Sequence, residues 1–327
     1  ARIYGYDNIP ETTATGDTPL ATATESLISL EAVADTLVAR DYQEIITYSF
    51  VDEKLNTLIT GRQSDLMQST PISSEKSGMR GSVWPGGLNA ASPNLARQQE
   101  RVRLFEIGKT FHGTLDAPVE VVRVSALITG DLLEKQWGSR TQVVDFFDIK
   151  SDVEAILGMT GAGDEVSFVA TDHVVLQPGQ TAAIQRNGEV VGVLGKLHPN
   201  VAKQFDLDKP TFVFELDAGK CFAARVPVAE TVSKFPAIRR DIAVVVKEDV
   251  TANDLSAAAG SAAPELVRNV RIFDVYKGPG IEAGLKSVAL GLILQETSRT
   301  LTDEDADTVM SAVLRKLQQD FGAELRD

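Results

Sequence analysis

The sequence predicts an α+β protein that is built largely on antiparallel sheets. Many short β-rich segments occur along the chain, and helical segments lie among them without the strict alternation that marks a parallel sheet. At 327 residues the chain is long for one hydrophobic core, so two or more domains are expected. From residue 232 onward the pattern changes to a complete small set of elements, which predicts a separate C-terminal domain.

The first part of the chain predicts a connecting arm followed by a domain over residues 21–225. Pro10, Pro19 and Thr- and Gly-rich spacing make residues 1–20 look like the tail of an upstream domain and an arm. The elements predicted after the arm are a helix in Glu25–Arg40, strands at Glu44–Val51 and Ser64–Ser69, a turn and helix over Met79–Leu95, strands at Arg101–Phe111 and Val121–Gly130, a helix in Val143–Met159, strands at Val166–Ala170, Thr181–Arg186 and Val190–Leu197, a short helix from His198-Pro199, and a strand at Thr211–Leu216. Asn187-Gly188 is a type I′ hairpin signal between two of these strands.

Residues 232–327 predict a ferredoxin-like domain, because their elements follow the order strand, helix, strand, strand, helix, short strand. The strands are expected at Asp241–Lys247, Val267–Tyr276 and Ser287–Gln295, and the first helix at Ala252–Ala263. Thr302 is the candidate N-cap of the second helix, whose acidic first turn suits the positive end of the helix dipole. In this fold both helices cover one face of the sheet and leave the other face free to bind.

Composition and motifs exclude several classes of function. No apolar run approaches the ~20 residues that span a bilayer, and the single cysteine, Cys221, favours a reducing cytoplasm. His112, His173 and His198 are far apart in sequence and match no metal-binding spacing. Neither a Walker loop nor a GxGxxG motif occurs in the sequence. The sequence therefore predicts neither a catalytic residue nor a metal site.

Positive charge is concentrated where the C-terminal domain begins. The whole chain carries a net charge of −14, so an RNA site would have to be a local basic patch. Lys234, Arg239 and Arg240, with Phe235 between them, offer cations for phosphates and a ring for base stacking. The alternative is a solvated turn whose arginines pair with Asp241 and with the acidic residues 303–307.

A second candidate lies on the open face of the predicted sheet. If Val270 and Ile272 face the helices, Arg271 and Phe273 join the small residues of the neighbouring strand on the opposite face. An aromatic ring and an arginine on such a face could stack bases. The alternative is that this face packs against another domain.

Several collinear motifs resemble bacterial phenylalanyl-tRNA synthetase β subunits. They are Arg2–Pro10, Met79–Leu88, Arg103–Gly108 and Asp145–Glu154, then Phe235–Val246, Phe273–Gly278 and Leu294–Leu301 in the C-terminal domain. The resemblance implies a non-catalytic class II synthetase-like domain over 21–225 and a ferredoxin-fold anticodon-binding domain over 232–327. The candidate tRNA-binding residues that follow from it are Lys234, Phe235, Arg239, Arg240, Arg271, Phe273, Lys277 and Arg299.

The resemblance also implies how the chemistry is divided between chains. The family's enzyme is a cytoplasmic heterotetramer of two α and two β chains that uses ATP and Mg²⁺ to charge tRNA(Phe), with the active site in α. Arg103–Glu106 is similar to a motif-2 strand, but Thr211–Gly219 offers no glycine-rich segment ending in an ATP-binding arginine. The editing domain and the acidic residues that share magnesium are expected upstream of Ala1, so this chain is expected to bind no cofactor.

Two other classes of function remain as alternatives at this point. One is an independent class II-like ligase with its own ATP and amino-acid pocket. The other is a ferredoxin-like module that binds a small metabolite or serves as a dimerisation sheet. Within the leading interpretation, Arg239 and Arg240 are expected to contact phosphates.

Overall fold

Two units, Ala1–Pro227 and Val228–Asp327, make up the fold. The structure is a computed structural model, and it describes residues 2–13, 15–16, 25–64, 66–71, 73–229 and 232–326. The predicted connecting arm therefore lies partly outside the described residues. None of the described helices is long and apolar enough to cross a membrane.

The first unit is organised around a seven-stranded sheet. Its elements are α1 (Leu30–Ala39), β1 (Gln43–Glu44), β2 (Phe50–Val51), α2 (Glu53–Thr60), β3 (Gly78–Met79), α3 (Trp84–Ala96), β4 (Arg101–Thr114), β5 (Ala117–Gly130), α4 (Phe146–Gly158), β6 (Val166–Ala170), β7 (Leu176–Arg186), β8 (Glu189–Leu197), α5 (Pro199–Ala202), β9 (Thr211–Asp217) and α6 (Ala218–Cys221). The strand order is β1-β4-β5-β9-β8-β7-β6. Every pairing is antiparallel except that of β1 with β4, which confirms the predicted α+β class.

Helices cover both faces of this sheet because the apolar side chains of each central strand point alternately to one face and to the other. Phe105 and Phe214 lie in a core with α1 and α4, whereas Leu104, Leu127 and Val213 lie in a second core with α2, α3 and α5. Burial of both faces explains why these strands are apolar at almost every position over their central part.

The local signals of the first unit were predicted with mixed success. The hairpin at Asn187-Gly188 is confirmed, since both residues have the positive φ values of a type I′ turn, 51° and 80°. Glu44–Val51 is not one strand but the end of β1, an irregular segment and β2. Helix α2 was not predicted, although Asp52 caps it by accepting hydrogen bonds from two backbone amides.

The second unit has the predicted βαββαβ order. Its elements are β10 (Ile238–Lys247), α7 (Ala252–Ser261), β11 (Val267–Tyr276), β12 (Leu285–Leu294), α8 (Asp303–Phe321) and β13 (Glu324–Leu325). The sheet order is β11-β12-β10-β13, and all three pairings are antiparallel. This arrangement is the ferredoxin-like sheet.

Both helices of the second unit pack on the same face of its sheet. Val244 and Leu290 lie in one core with Leu255 of α7 and Val313 of α8. Thr302 is confirmed as the N-cap of α8, and its side chain and that of Asp305 form a reciprocal capping box. Among the described residues of this unit, no helix lies on the opposite face of the sheet.

Strand β10 begins at Ile238, three residues before the predicted start. Arg239 and Arg240 are therefore strand residues, and the prediction that they lie in a basic turn is wrong. Because side chains alternate along a strand, the two arginines point to opposite faces of the sheet. This separation decides what each of them can contact.

Candidate nucleic-acid interface

The helix-free face of the four-stranded sheet has a floor of small residues. Ser287, Ala289 and Gly291 of β12 face away from the helices, since Val288 and Leu290 between them are fully buried in the core. Asp241 of β10 pairs with Gly291 across the sheet. The candidate binding side chains belong to β10 and β11, the two strands that flank β12 in the sheet.

Arg239, Asp241 and Phe273 meet above Gly291. The Arg239 Nε donates a hydrogen bond to Asp241 Oδ1 at 2.8 Å, and this bond raises the pKa of the guanidinium. The guanidinium carbon lies 5.5 Å from the centroid of the Phe273 ring, a cation–π distance. These contacts define the RD-F cluster: Arg239, Asp241 and Phe273.

Strand alternation places Phe273 on this face, and β11 is irregular at that point. The register between β11 and β12 shifts between Ile272 and Asp274, so Phe273 has no cross-strand partner. Such a bulge re-aims a side chain. Phe273 is 49% exposed, which leaves ring surface available for stacking.

Arg271 lies on the same face of the sheet, on β11, so β12 separates it from Arg239 on β10. It pairs with Gly291 across the sheet and is exposed. Within the part of the chain that the structure describes, its guanidinium has no carboxylate partner. Arg239, Arg271 and Phe273 are thus the three predicted site residues that the fold brings together on one face.

A second ring–arginine pair on this face was not predicted. Arg326 follows β13, and its guanidinium carbon lies 4.9 Å from the centroid of the Tyr276 ring. The same guanidinium donates to Ser287 Oγ at 3.2 Å. Asp241 was also absent from the predicted site, although its position two residues after Arg239 in a strand could have placed it there.

Arg240 and Arg299 are held near the start of α8 instead. Arg240 donates to Asp303 Oδ1 at 2.5 Å, and Arg299 makes two hydrogen bonds to Asp305, at 2.6 and 2.9 Å. The contacts from Arg299 and Thr302 hold the pKa of Asp305 well below its usual range. For Arg240 the sequence had left open whether it meets RNA or the acidic residues of α8, and in this structure it meets Asp303.

Lys234, Phe235 and Lys277 do not join the RD-F cluster. Lys234 is exposed and precedes β10, and the carbonyl of the half-buried Phe235 accepts a hydrogen bond from Gln295 Nε2 at 2.8 Å. Lys277 follows the far end of β11 and pairs with Glu248 at 3.3 Å. Three of the eight predicted residues therefore share the open face, and the other five lie elsewhere.

Comparisons with known proteins assign the family. The sequence model of the phenylalanyl tRNA synthetase beta chain CLM domain matches residues 9–218, and that of the ferredoxin-fold anticodon binding domain matches residues 233–326. The chain belongs to the phenylalanyl-tRNA synthetase β-chain family. The resemblance inferred from the sequence motifs is thereby confirmed.

Curated relatives agree over the whole chain. Phenylalanine–tRNA ligase β subunits of Methylococcus capsulatus, Pseudomonas putida and Haemophilus influenzae are 43%, 42% and 43% identical over 100% of this chain. The chain spans only 41–42% of the length of these relatives. A solved pyrrolysyl-tRNA synthetase of Desulfitobacterium hafniense aligns over 57% of this chain and 62% of that one, with a TM-score of 0.43 and 14% identity, and adds nothing to the assignment.

In the first unit, Arg103 and Glu106 lie in the segment that is similar to a synthetase motif 2, and internal ion pairs neutralise both charges. Arg103 faces α4 and donates to the buried Asp152 at 2.5 Å. Glu106 faces the opposite side of β4 and accepts from Arg80 at 2.8 Å, with both side chains at most 5% exposed. Neither side chain is available to a substrate in this arrangement.

The face of the seven-stranded sheet under α3 is also filled. The cavity between Trp84 and the strand residues Leu104, Leu127 and Val213 has a volume of about 10 Å³, whereas small-molecule sites occupy roughly 300–1,000 Å³. Further along this face, Glu215 accepts hydrogen bonds from Ser82 Oγ and from the amide of Val83, both at 2.8 Å, and burial raises its pKa. Among the described residues, no group of three or more His, Cys, Asp or Glu could hold a metal ion.

Proposed function

We propose that this chain is part of the β subunit of a phenylalanine–tRNA ligase and binds tRNA(Phe) through its second unit. In this proposal the first unit packs against a separate catalytic α subunit in a cytoplasmic α₂β₂ assembly, and the α subunit uses ATP and Mg²⁺. The names of the relatives support the enzyme and the subunit, and the two family matches support the division of labour between the units.

The observation that carries the RNA-binding part is the open sheet face with a half-exposed Phe273 beside Arg271 and Arg239. Single-stranded RNA is bound by aromatic rings that stack on bases and by cations that hold phosphates. A helix-free sheet with a floor of small residues lets a flat base approach those rings. The filled sheet face and the paired Arg103 and Glu106 of the first unit support a scaffold rather than an active site.

Capture of the chain together with its cellular partners tests this proposal directly. The chain is tagged and captured from lysate, and the captured material is examined for an α-type synthetase chain and for tRNA(Phe). Both are expected. ATP–pyrophosphate exchange by the purified chain alone would instead support an independent ligase, and tight binding of a free amino acid without affinity for tRNA would support a metabolite-binding module.

Phe273→Ala is expected to lower the affinity for tRNA(Phe) roughly 5- to 150-fold, because stacking of one base on an aromatic ring contributes about 1–3 kcal/mol. Filter binding or fluorescence titration measures the change. Val275→Ala is the matched control: Val275 is an exposed apolar residue of the same strand, and its cross-strand partner Val288 lies in the core. Equal losses in both variants would contradict a stacking role for Phe273.

Arg271→Ala is expected to weaken binding and to reduce the salt slope of the affinity by about one counterion, as the loss of one phosphate contact does. Arg240→Ala is expected to change the slope less, because Asp303 already neutralises that guanidinium. The slope is measured from titrations at several salt concentrations. A flatter slope for Arg240→Ala than for Arg271→Ala would return the phosphate role to Arg240.

A further inference from the structure

We propose that His112 is an acid-sensitive clasp in the first unit. At neutral pH its imidazole fastens the segment that follows α2 to strand β4, and uptake of a proton by the ring releases that segment. The segment comprises residues 61–64, on the way from α2 to β3, and is called the clasped segment below. The inference is independent of RNA binding by the second unit.

Both ring nitrogens of His112 lie within hydrogen-bond distance of a polar partner. Nδ1 lies 3.1 Å from a terminal nitrogen of Arg62 in the clasped segment, and Nε2 lies 3.0 Å from Thr110 Oγ1 on β4. A guanidinium only donates, so Nδ1 is the acceptor and carries no proton. The imidazole is therefore neutral, and its Nε2–H donates to Thr110. The Thr110 hydroxyl donates in turn to the carbonyl of Val121, at 3.3 Å.

A further proton can bind this ring only at Nδ1, the atom that faces Arg62. Its uptake removes the acceptor of the hydrogen bond and leaves two cations in contact. Because Arg62 is exposed, its side chain can turn into solvent and relieve the repulsion. The clasped segment then loses its side-chain contact with β4.

The charged groups around the ring also oppose its protonation. Burial is the largest cause, followed by Arg123 of β5 and then Arg62, and together they lower the pKa of His112. Asp217, at the end of β9, acts in the opposite direction. Its effect is small because it forms an ion pair with Arg123, at 3.4 Å.

The lowered pKa fixes the direction of the pH dependence. The closed clasp favours the neutral ring, so its stability is fully present above about pH 6.5, the ordinary pKa of histidine. It is lost as the pH falls from there through the lowered pKa, by up to about a factor of ten per pH unit for one proton. The clasp therefore opens under mild acid, where histidine switches operate.

Contacts that do not titrate hold the clasped segment at both ends. Thr60 Oγ1 donates to the carbonyl of Arg62 at 2.8 Å, and Ser64 Oγ donates to the carbonyl of Met79 in β3 at 3.2 Å. Protonation of His112 is therefore expected to loosen the segment locally and to leave α2 and β3 in place.

Two measurements on the full chain test the clasp. NMR titration of the histidine side chains gives the pKa of His112, whose signal is identified by its absence in His112→Gln. Hydrogen exchange of residues 61–64, corrected for the intrinsic exchange rate at each pH, gives the closed population. We expect a pKa below about 6.5 and protection that falls up to about tenfold per pH unit in mild acid.

Three variants assign the effect to the contact between the ring and the guanidinium. Arg62→Gln is expected to raise the pKa of His112 toward its ordinary value, because it removes a neighbouring cation. His112→Gln is expected to make the protection independent of pH, since the carboxamide oxygen can accept from Arg62 and does not titrate. His198→Gln is the control and is expected to keep the pH dependence, because the His198 ring instead accepts from the amide of Asn200 at the start of α5.

Each of the contrary results overturns the clasp. A His112 pKa at or above about 6.5 in the unaltered chain means that the folded protein does not favour the neutral ring. A pKa that Arg62→Gln leaves unchanged means that the two side chains are not coupled. Protection of the clasped segment that does not change with pH, or that falls equally in His112→Gln, means that another group holds the segment.

Discussion

Replacing Asp152 with alanine is expected to lower the free energy of unfolding of the first unit by about 3–5 kcal/mol, the cost of leaving a buried charge without its partner. Asp152 is 1% exposed and accepts hydrogen bonds from Arg40 Nε and Tyr42 Oη, both at 2.6 Å, and from Arg103. Arg103 is itself only 7% exposed, and its buried Nε has no hydrogen-bond partner among the described residues. Without the carboxylate, its guanidinium stays buried and uncompensated.

Tryptophan fluorescence during urea unfolding measures this loss in the first unit alone. Both tryptophans of the chain, Trp84 and Trp137, belong to that unit, so the second unit contributes no tryptophan signal. Glu120→Ala is the control, because its ion pair with Lys109 is more than half exposed on both sides and such pairs contribute little. If Asp152→Ala unfolds at the same urea concentration as Glu120→Ala, the buried network does not stabilise the unit.

Replacing Arg80 with methionine is expected to cost about 3–5 kcal/mol for the same reason, but here a second substitution should restore stability. Arg80 donates to Glu106, to Thr47 Oγ1 and to the carbonyl of Lys109. The single variant leaves Glu106 buried without its cation. In Arg80→Met with Glu106→Leu both charges are gone, and an apolar pair of similar volume is often neutral or stabilising.

The same unfolding experiment on the two single variants and the double variant gives the coupling between Arg80 and Glu106. We expect the double variant to be more stable than either single variant. Additive losses would show that Arg80 acts through Thr47 and the carbonyl of Lys109 rather than through Glu106. Affinity for an α subunit is measured in parallel, since the proposed scaffold role of the first unit requires no charge at these two positions.

The sequence predicted those parts of the fold that depend on neighbours along the chain. Patterns of a few residues predicted the order of elements in the second unit, the cap at Thr302 and the turn at Asn187-Gly188. All three predictions are confirmed. Helix α2 was missed because its own residues are weakly apolar, and the signal that marked it was the cap at Asp52.

The candidate site was only partly predictable. Arg271 and Phe273 were found because strand alternation places residues on a face without knowledge of the fold, whereas Arg239 was found as part of the basic cluster at the start of the domain. Tyr276 with Arg326 was missed, because the ring belongs to β11 and the guanidinium follows β13, so a helix and a further strand separate them in sequence. Arg240 and Arg299 carry the charge that an RNA contact needs, but each of them forms an ion pair with an acidic residue of α8.

The sequence by itself determined the class of the fold, the family and the residue types that an RNA-binding face needs, since these follow from local periodicity and from collinear motifs. Only the tertiary structure decided which cations are free. Arg240 meets a carboxylate 63 residues away, and Phe273 turns toward Arg239 at a bulge in the pairing with another strand. Contacts between residues far apart in the chain leave no local pattern, so the division between paired and available arginines appears only in the folded protein.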